Sequence, residues 1–328
     1  MSKNTKPQQQ RRPGSEDQGA DVSTGVASKK KDSNSVVSAL VVILVLLAYI
    51  VAAVYPALNA PRPGTPEGSS SLLFTRAVEA GWKPEDIQRV DSTFCNIPRI
   101  PMSSLSRAEF QDRYLEKAPV ILVGTPNSDN TFAKMTQRQY LLDHFGNHSI
   151  TLSSANRNSY DKKEVAVHHY LDRRRMMKPQ TLHTDGASTW YHFGDNKHDQ
   201  WEDVFQHYTR PTEYTFGQYS SLSFGLGPAG SGVPFHTHGH VFNEVIYGKK
   251  RWWLQAPVFP LVDDIGPRFD PDASSLQWLE YVRPTYSPAE TDALHECVCA
   301  PGETLYIPSF WHHSTLNIGE TVFMAVFV

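Results

Sequence analysis

The sequence predicts a mainly β fold, a sandwich or jelly roll, with helices ahead of it and one membrane-spanning helix ahead of those. Three observations carry this. After Tyr214 the chain turns into short apolar segments divided by Gly and Pro turns. Aromatic residues are abundant (seven Trp, fourteen Tyr, sixteen Phe) and lie mostly after residue 72, as strands favour. Residues 36–55 form a run of twenty without a charge.

With 328 residues the chain is long enough for a substantial core plus appendages. Its 31 Lys and Arg against 34 Asp and Glu provide no basic field, which excludes nucleic acid as an expected partner.

Residues 1–35 are polar and poor in aromatics, and are expected to form a disordered cytosolic tail. Residues 36–55, at 1.5 Å per residue, would cross a bilayer core of roughly 30 Å. A buried helix of that length would show a polar face, and this run shows none. A cleaved signal peptide would sit at the N-terminus with a shorter apolar region, so the run reads as a signal anchor. Lys29, Lys30 and Lys31 precede it directly, and no Lys or Arg follows until Arg62. The positive-inside rule therefore makes the chain a type II membrane protein with its C-terminal part in a lumen or outside. Residues 56–71, rich in Pro, Gly and Ser from Asn59, read as a linker. Residues 72–328 read as one domain without internal repeats.

The start of that domain looks helical. Ser106 and Glu109 have capping-box spacing ahead of Phe110, Tyr114 and Leu115 on one face. Thr136 and Gln139 repeat the device, with Gly146 as the stop. Pro119 to Gly124 is a short apolar strand, and Trp201 to Tyr208 another helix. Strands are expected at Tyr219 to Leu226, Phe242 to Tyr247, Arg251 to Leu254, Thr304 to Ile307 and Thr321 to Val328.

Only three cysteines occur, Cys95, Cys297 and Cys299, so this is no disulfide framework. An oxidising lumen would allow one bridge. The single glycosylation sequon, at Asn147, fits the same compartment.

The chemistry concentrates in two segments. Gly232-Val233-Pro234-Phe235-His236-Thr237-His238-Gly239-His240 runs into the basic, aromatic Gly248-Lys249-Lys250-Arg251-Trp252-Trp253. Two histidines at i, i+2 on a strand share a face. His313, far downstream after Tyr306-Ile307-Pro308-Ser309-Phe310-Trp311-His312, can close a three-point metal site. This is the layout of a mononuclear iron site in a double-stranded β-helix, with His238 standing where a carboxylate is expected. Fourteen histidines make chance pairs common, and a lone His is more often structural than ligating; the concurrence of His-x-His, a lysine strand and Pro-x4-His favours a metal. His240 continues the series, but Gly239 favours a bend that removes it from the site. His183-Thr184-Asp185 is a literal His-x-Asp, but it lacks the following lysine strand and reads as a turn.

From Phe235 to the C-terminus the chain resembles the JmjC-type, cupin-fold oxygenases. The likeness extends back to about Cys95 through Ala118-Pro119-Val120-Ile121-Leu122, Phe193-Gly194-Asp195-Asn196 and Gly230 to His236, and forward through Glu244 to Gly248 and Tyr306 to Asn317. The resemblance implies Fe(II) on His236 and His313, with 2-oxoglutarate as co-substrate. It places Lys250 against the distal carboxylate of that co-substrate, with a hydroxyl from Tyr219 or Ser221 beside it. It also implies a Cys95–Cys297 disulfide and residence in the endoplasmic reticulum membrane. Members of the family carry Asp or Glu where this chain has His238. Metal binding is expected to survive that change, and turnover to be slow or absent. The leading reading is an Fe(II)/2-oxoglutarate oxygenase acting on a protein side chain; the competing one is a non-catalytic module that binds a protein partner, and a third is a three-His cupin enzyme without 2-oxoglutarate, acting on a small molecule.

Overall fold

The computed structural model describes residues 67–84, 94–156, 159–184, 186–194, 196–257 and 267–328, all within the unit Thr65–Val328. The stretches expected to be a cytosolic tail (1–35) and a membrane span (36–55), and most of the expected linker, lie outside these residues. Among the described residues no helix is long and apolar enough to cross a membrane.

Among the described residues the strands are β1 (Arg99–Pro101), β2 (Val120–Val123), β3 (Ser149–Ser154), β4 (Lys162–Ala166), β5 (Trp190–His192), β6 (Ser221–Gly227), β7 (Val241–Gln255), β8 (Leu294–Cys299), β9 (Glu303–Ile307) and β10 (His312–Phe327). They follow the order β1-β2-β9-β7-β10-β6-β5-β3-β4, with β8 on β7. β7 and β10 pair antiparallel over most of their length and pass from one face of a jelly roll to the other. In the first half of β7 the outer neighbour is β9, and in the second half it is β8, so the continuous ladder folds into a larger sheet on the β9 and β6 side and a smaller one on the β8 side. The first half of β10 is flanked by the segment 231–236, through Asn317 N to Ser231 O at 2.8 Å and Thr315 N to Val233 O at 3.0 Å.

The crossing is made at Gly248, whose φ is +79°. A Cβ there would stand 2.5 Å from the Glu320 carbonyl oxygen, so only glycine fits. The β7–β10 register shifts at this point, between Ile318 and Val322. The irregularity reverses the alternation of β7. Val241 and Asn243 before it, and Lys250 and Trp252 after it, line one common interior.

Three apolar clusters hold the layers. The first joins the N-terminal helices to the outer face of the larger sheet: Phe110, on helix Arg107–Arg113, has its ring 4.8 Å from that of Tyr214 and 4.9 Å from that of Tyr306. The second fills the space between the sheets with Ile121, Val245, Leu254 and Leu305. In the third, Trp278 packs against Trp253 at 5.1 Å and Phe235 at 4.8 Å, covering the outside of the smaller sheet. Aromatic pairs at these separations contribute about 0.5–1.5 kcal/mol each beyond area burial.

Several boundaries differ from expectation. A helix spans Glu67–Glu79, so ordered structure begins inside the stretch read as linker. Ser106 does cap its helix, accepting from Glu109 N at 3.1 Å, but the Glu109 carboxylate turns to Arg113 instead of completing a box. Thr136 does not start the next helix but ends the one before it, as the C-cap of helix Thr131–Met135. Its hydroxyl donates to Ala133 O, and Gln137 holds the N-cap position of helix Arg138–Phe145. The helix expected at Trp201 spans His198–Phe205. The two strands expected at Phe242 and Arg251 are one strand bent at Gly248, and the last strand starts as early as His312. β6 begins at Ser221 and is buried on both sides, so its apparent alternation has no exposed face.

Cys95 and Cys297 are joined by a disulfide, with Cα atoms 4.3 Å apart across 202 residues of sequence. Asn96 N donates to Glu296 O at 3.2 Å, so the bridge and the backbone together fasten the start of the domain to β8. Cys299 is a buried free thiol. Replacing both bridged cysteines with serine is expected to lower unfolding stability by about 2–5 kcal/mol. Urea melts of the oxidised wild type and the double variant that coincide would contradict this.

Candidate metal centre

His236 and His313 face each other across an antiparallel bridge, each backbone N–H donating to the other's carbonyl at 3.1 and 3.0 Å. The bridge fixes both rings on the same side of the smaller sheet, with centroids 4.2 Å apart. His238 lies beyond the ladder and is placed by a different contact. Phe310, in the turn between β9 and β10 with φ +62°, donates its N–H to the His238 carbonyl at 2.9 Å. The ligand-capable atoms of the three histidines lie within 4.8 Å of one another.

Each ring is oriented by a local carbonyl. His236 Nδ1 stands 2.7 Å from Pro234 O, His313 Nδ1 2.8 Å from Trp311 O, and His238 Nδ1 2.6 Å from Gly239 O. A carbonyl only accepts, so each Nδ1 carries the hydrogen and each Nε2 keeps a bare lone pair. The Nε2 atoms of His313 and His238 approach to 3.0 Å. Two lone pairs at that distance repel unless a cation lies between them. Nitrogen ligands bound at about 2.1 Å and at right angles stand about 3.0 Å apart. The donor set therefore fits a divalent metal ion.

Burial keeps the rings neutral. It pushes His236 down to about 4, with the Pro234 carbonyl only partly offsetting it and His238 and Lys250 lowering it further. Burial, then the neighbouring His236 and His238, hold His313 well below its ordinary value, and burial also lowers His238. No carboxylate lines the cavity among the described residues. The nearest in sequence, Glu244, points out of the barrel and is buried beneath Thr125, Asn127 and Tyr208, the last two at 2.8 Å.

Residues 106–326 match the family described as Cupin-like domain. JmjC domain-containing protein 8 of Rattus norvegicus is 36% identical over 262 residues, which cover 79% of this chain and 93% of the relative. This chain belongs to the JmjC-type cupin-like family. Less similar JmjC relatives include a bifunctional arginine demethylase and lysyl-hydroxylase of Caenorhabditis briggsae, 29% identical over 245 residues (69% of this chain, 60% of the relative). A 2-oxoglutarate and iron-dependent oxygenase of Gallus gallus is 35% identical over 103 residues (30% and 24%).

In this JmjC-type domain Lys250 is buried and lines the cavity. Its Nζ donates to Asn317 Oδ1 at 3.1 Å, and burial lowers it to about 7. The other two residues read as co-substrate contacts are corrected. Tyr219 precedes β6 and is 89% exposed. Ser221 opens β6 opposite Phe327, and it is Phe327, not Ser221, that reaches the cavity. His240 turns away from the triad after the bend at Gly239, to Glu116 at 3.0 Å. His183 sits exposed in a turn, while Asp185 lies outside the described residues. Asn147 is exposed in the turn before β3.

Sequence reasoning missed Asn243, Thr315, Phe193 and Phe323 as lining residues. Asn243 left a signal, since with Glu244 it interrupts an apolar strand segment, one polar side chain for each face. Phe323 left none, because one more aromatic in a closing strand looks like core.

A dicarboxylate the size of 2-oxoglutarate does not fit as the domain stands. The Phe323 ring centroid lies 3.7 Å from Lys250 Nζ, where the distal carboxylate would go. The cavity retains about 20 Å³ of free space, too little for a five-carbon dicarboxylate while the ring stays in place.

In the metal-free protein, His236 is neutral when folded, with a value of about 4, against an ordinary 6.5. The unfolded chain therefore takes up its proton first as pH falls. Stability is full above pH 6.5 and declines toward pH 4, by ~3 kcal/mol from His236 alone. Urea unfolding near pH 7 and near pH 4 measures this, and His236→Gln should flatten the slope. A pH-independent wild type would contradict it.

Proposed function

We propose that this JmjC-type domain is a lumenal, membrane-anchored metal-binding module, holding a divalent ion such as Fe(II) on His236, His238 and His313. The observation that carries the reading is the convergence of three Nε2 lone pairs, each freed by an Nδ1 hydrogen bond to a local carbonyl. Such an ion would supply a Lewis-acidic centre for a small ligand. The chain's own part is to hold the rings neutral and exclude bulk water. His238 in place of a carboxylate leaves the ion's charge unbalanced, which favours binding over oxidative turnover.

A second reading, a 2-oxoglutarate-dependent oxygenase acting on a protein, is favoured by Lys250 inside the cavity and by the names of the arginine demethylase and oxygenase relatives. Because the co-substrate does not fit the cavity, we derive no step through it. Those relatives' names also support a protein as the partner class.

Metal analysis of the purified full-length protein, reconstituted with Fe(II), Co(II), Ni(II) or Zn(II), tests the first reading. One ion per chain is expected. Alanine at His236, His238 or His313 should weaken binding by more than the roughly 10–100-fold typical of losing an outer-shell partner. Metal content that ignores all three substitutions would sink it.

The lumenal placement rests on Lys29–Lys31 before the uncharged span, and is supported by the Cys95–Cys297 bridge and the exposed Asn147. In intact microsomes, residues after about 60 should resist added protease, and Asn147 should carry an endoglycosidase-sensitive glycan. Digestion of the domain without detergent would reverse the topology.

A further inference from the structure

We infer that Phe323 is a size filter: it occupies the co-substrate space over Lys250 and restricts the metal pocket to small monoanions. Phe323 lies opposite Gly225 in the β10–β6 ladder, and the tip of its ring sits where a side chain at residue 225 would begin. The ring thus lies across the interior and presents its face to the Lys250 ammonium at 3.7 Å. Phe193 backs it at 5.2 Å, and Gly194 N is tied to Ser223 Oγ at 3.0 Å, so the wall behind the ring is itself anchored. Lys250 is held between this ring and Asn317.

What remains is small but polar. A divalent ion on three neutral imidazoles, with no carboxylate in the cavity lining among the described residues, calls for an anion. Two lining residues keep an unused polar atom among the described residues, Asn243 Oδ1 and Trp252 Nε1. Hydrogencarbonate meets both demands, since it is an anion whose oxygens can accept from Trp252 Nε1 and whose hydroxyl can donate to Asn243 Oδ1. A dicarboxylate needs the volume that Phe323 fills. This inference rests on the metal reading for its anion, and on the ring's position alone for its exclusion of larger ligands.

The test uses full-length protein in detergent, loaded with Co(II) and followed by its visible spectrum. Formate, azide and hydrogencarbonate should perturb the wild-type spectrum saturably, while succinate and 2-oxoglutarate leave it unmoved. Phe323→Ala, or the milder Phe323→Leu, should gain a response to 2-oxoglutarate, and adding Lys250→Ala should weaken it at least about tenfold. A saturable wild-type response to 2-oxoglutarate overturns the filter, as does a folded Phe323 variant that gains none. If neither variant folds, the wild-type anion series decides alone. Failure to take up cobalt counts against the metal reading instead. The filter is then read from acylation of Lys250, which should be blocked in wild type and rapid in Phe323→Leu; equal labelling overturns it.

Discussion

The pairing of β7 with β10 is the constraint on which the rest of the structure depends. Val241, Asn243, Lys250 and Trp252 come from one strand, and His313, Thr315, Phe323, Ala325 and Phe327 from the other. Because both strands bend through the two sheets, a single ladder supplies opposite walls of one cavity. The bend works only because residue 248 has no side chain to meet the Glu320 carbonyl. A regular strand would continue its alternation, turning Lys249 inward and Lys250 out.

The same backbone logic sets the metal centre. His236 and His313 are ladder partners, so their approach is a consequence of register and not of flexible side chains. His238 depends on a turn residue in the left-handed region, which brings a loop carbonyl under the Phe310 N–H. Sites built on strands and tied by such contacts lose little side-chain entropy on binding an ion. Desolvation keeps all three rings neutral, the form a metal requires.

Charge is where this domain differs from a site with a carboxylate ligand. Glu244 is close in sequence, yet its carboxylate is taken up by Thr125, Asn127 and Tyr208 on the far side of the sheet. The interior therefore holds three neutral imidazoles and an ammonium without a balancing acid among the lining residues. The phenyl face over Lys250 offsets part of that imbalance, since its quadrupole attracts a cation in a dry site. Metal affinity and co-substrate space are thus separate properties here. The first is set by the histidines and their carbonyls, and the second by one ring and the glycine opposite it.

Local sequence determined what local chemistry can express. The aromatic and Gly/Pro texture after Tyr214 announces a β domain, the His-x-His and Pro-x4-His spacings pick out His236, His238 and His313, and Ser106 declares a helix start. The resemblance carried by longer motifs pointed to Lys250 and to Cys95 with Cys297, pairings that composition alone leaves open. Tertiary structure decided everything that depends on which way a side chain turns across distant strands. Tyr219 and Ser221 read as pocket hydroxyls only if β6 starts early, and it starts at Ser221 with Phe327 in the way. Thr136 reads as the start of a helix, yet it closes the preceding one, its hydroxyl turned back to Ala133. Phe323 is indistinguishable from core in sequence. Its meaning comes from Gly225, nearly a hundred residues away, and that proximity exists only once β6 and β10 have paired.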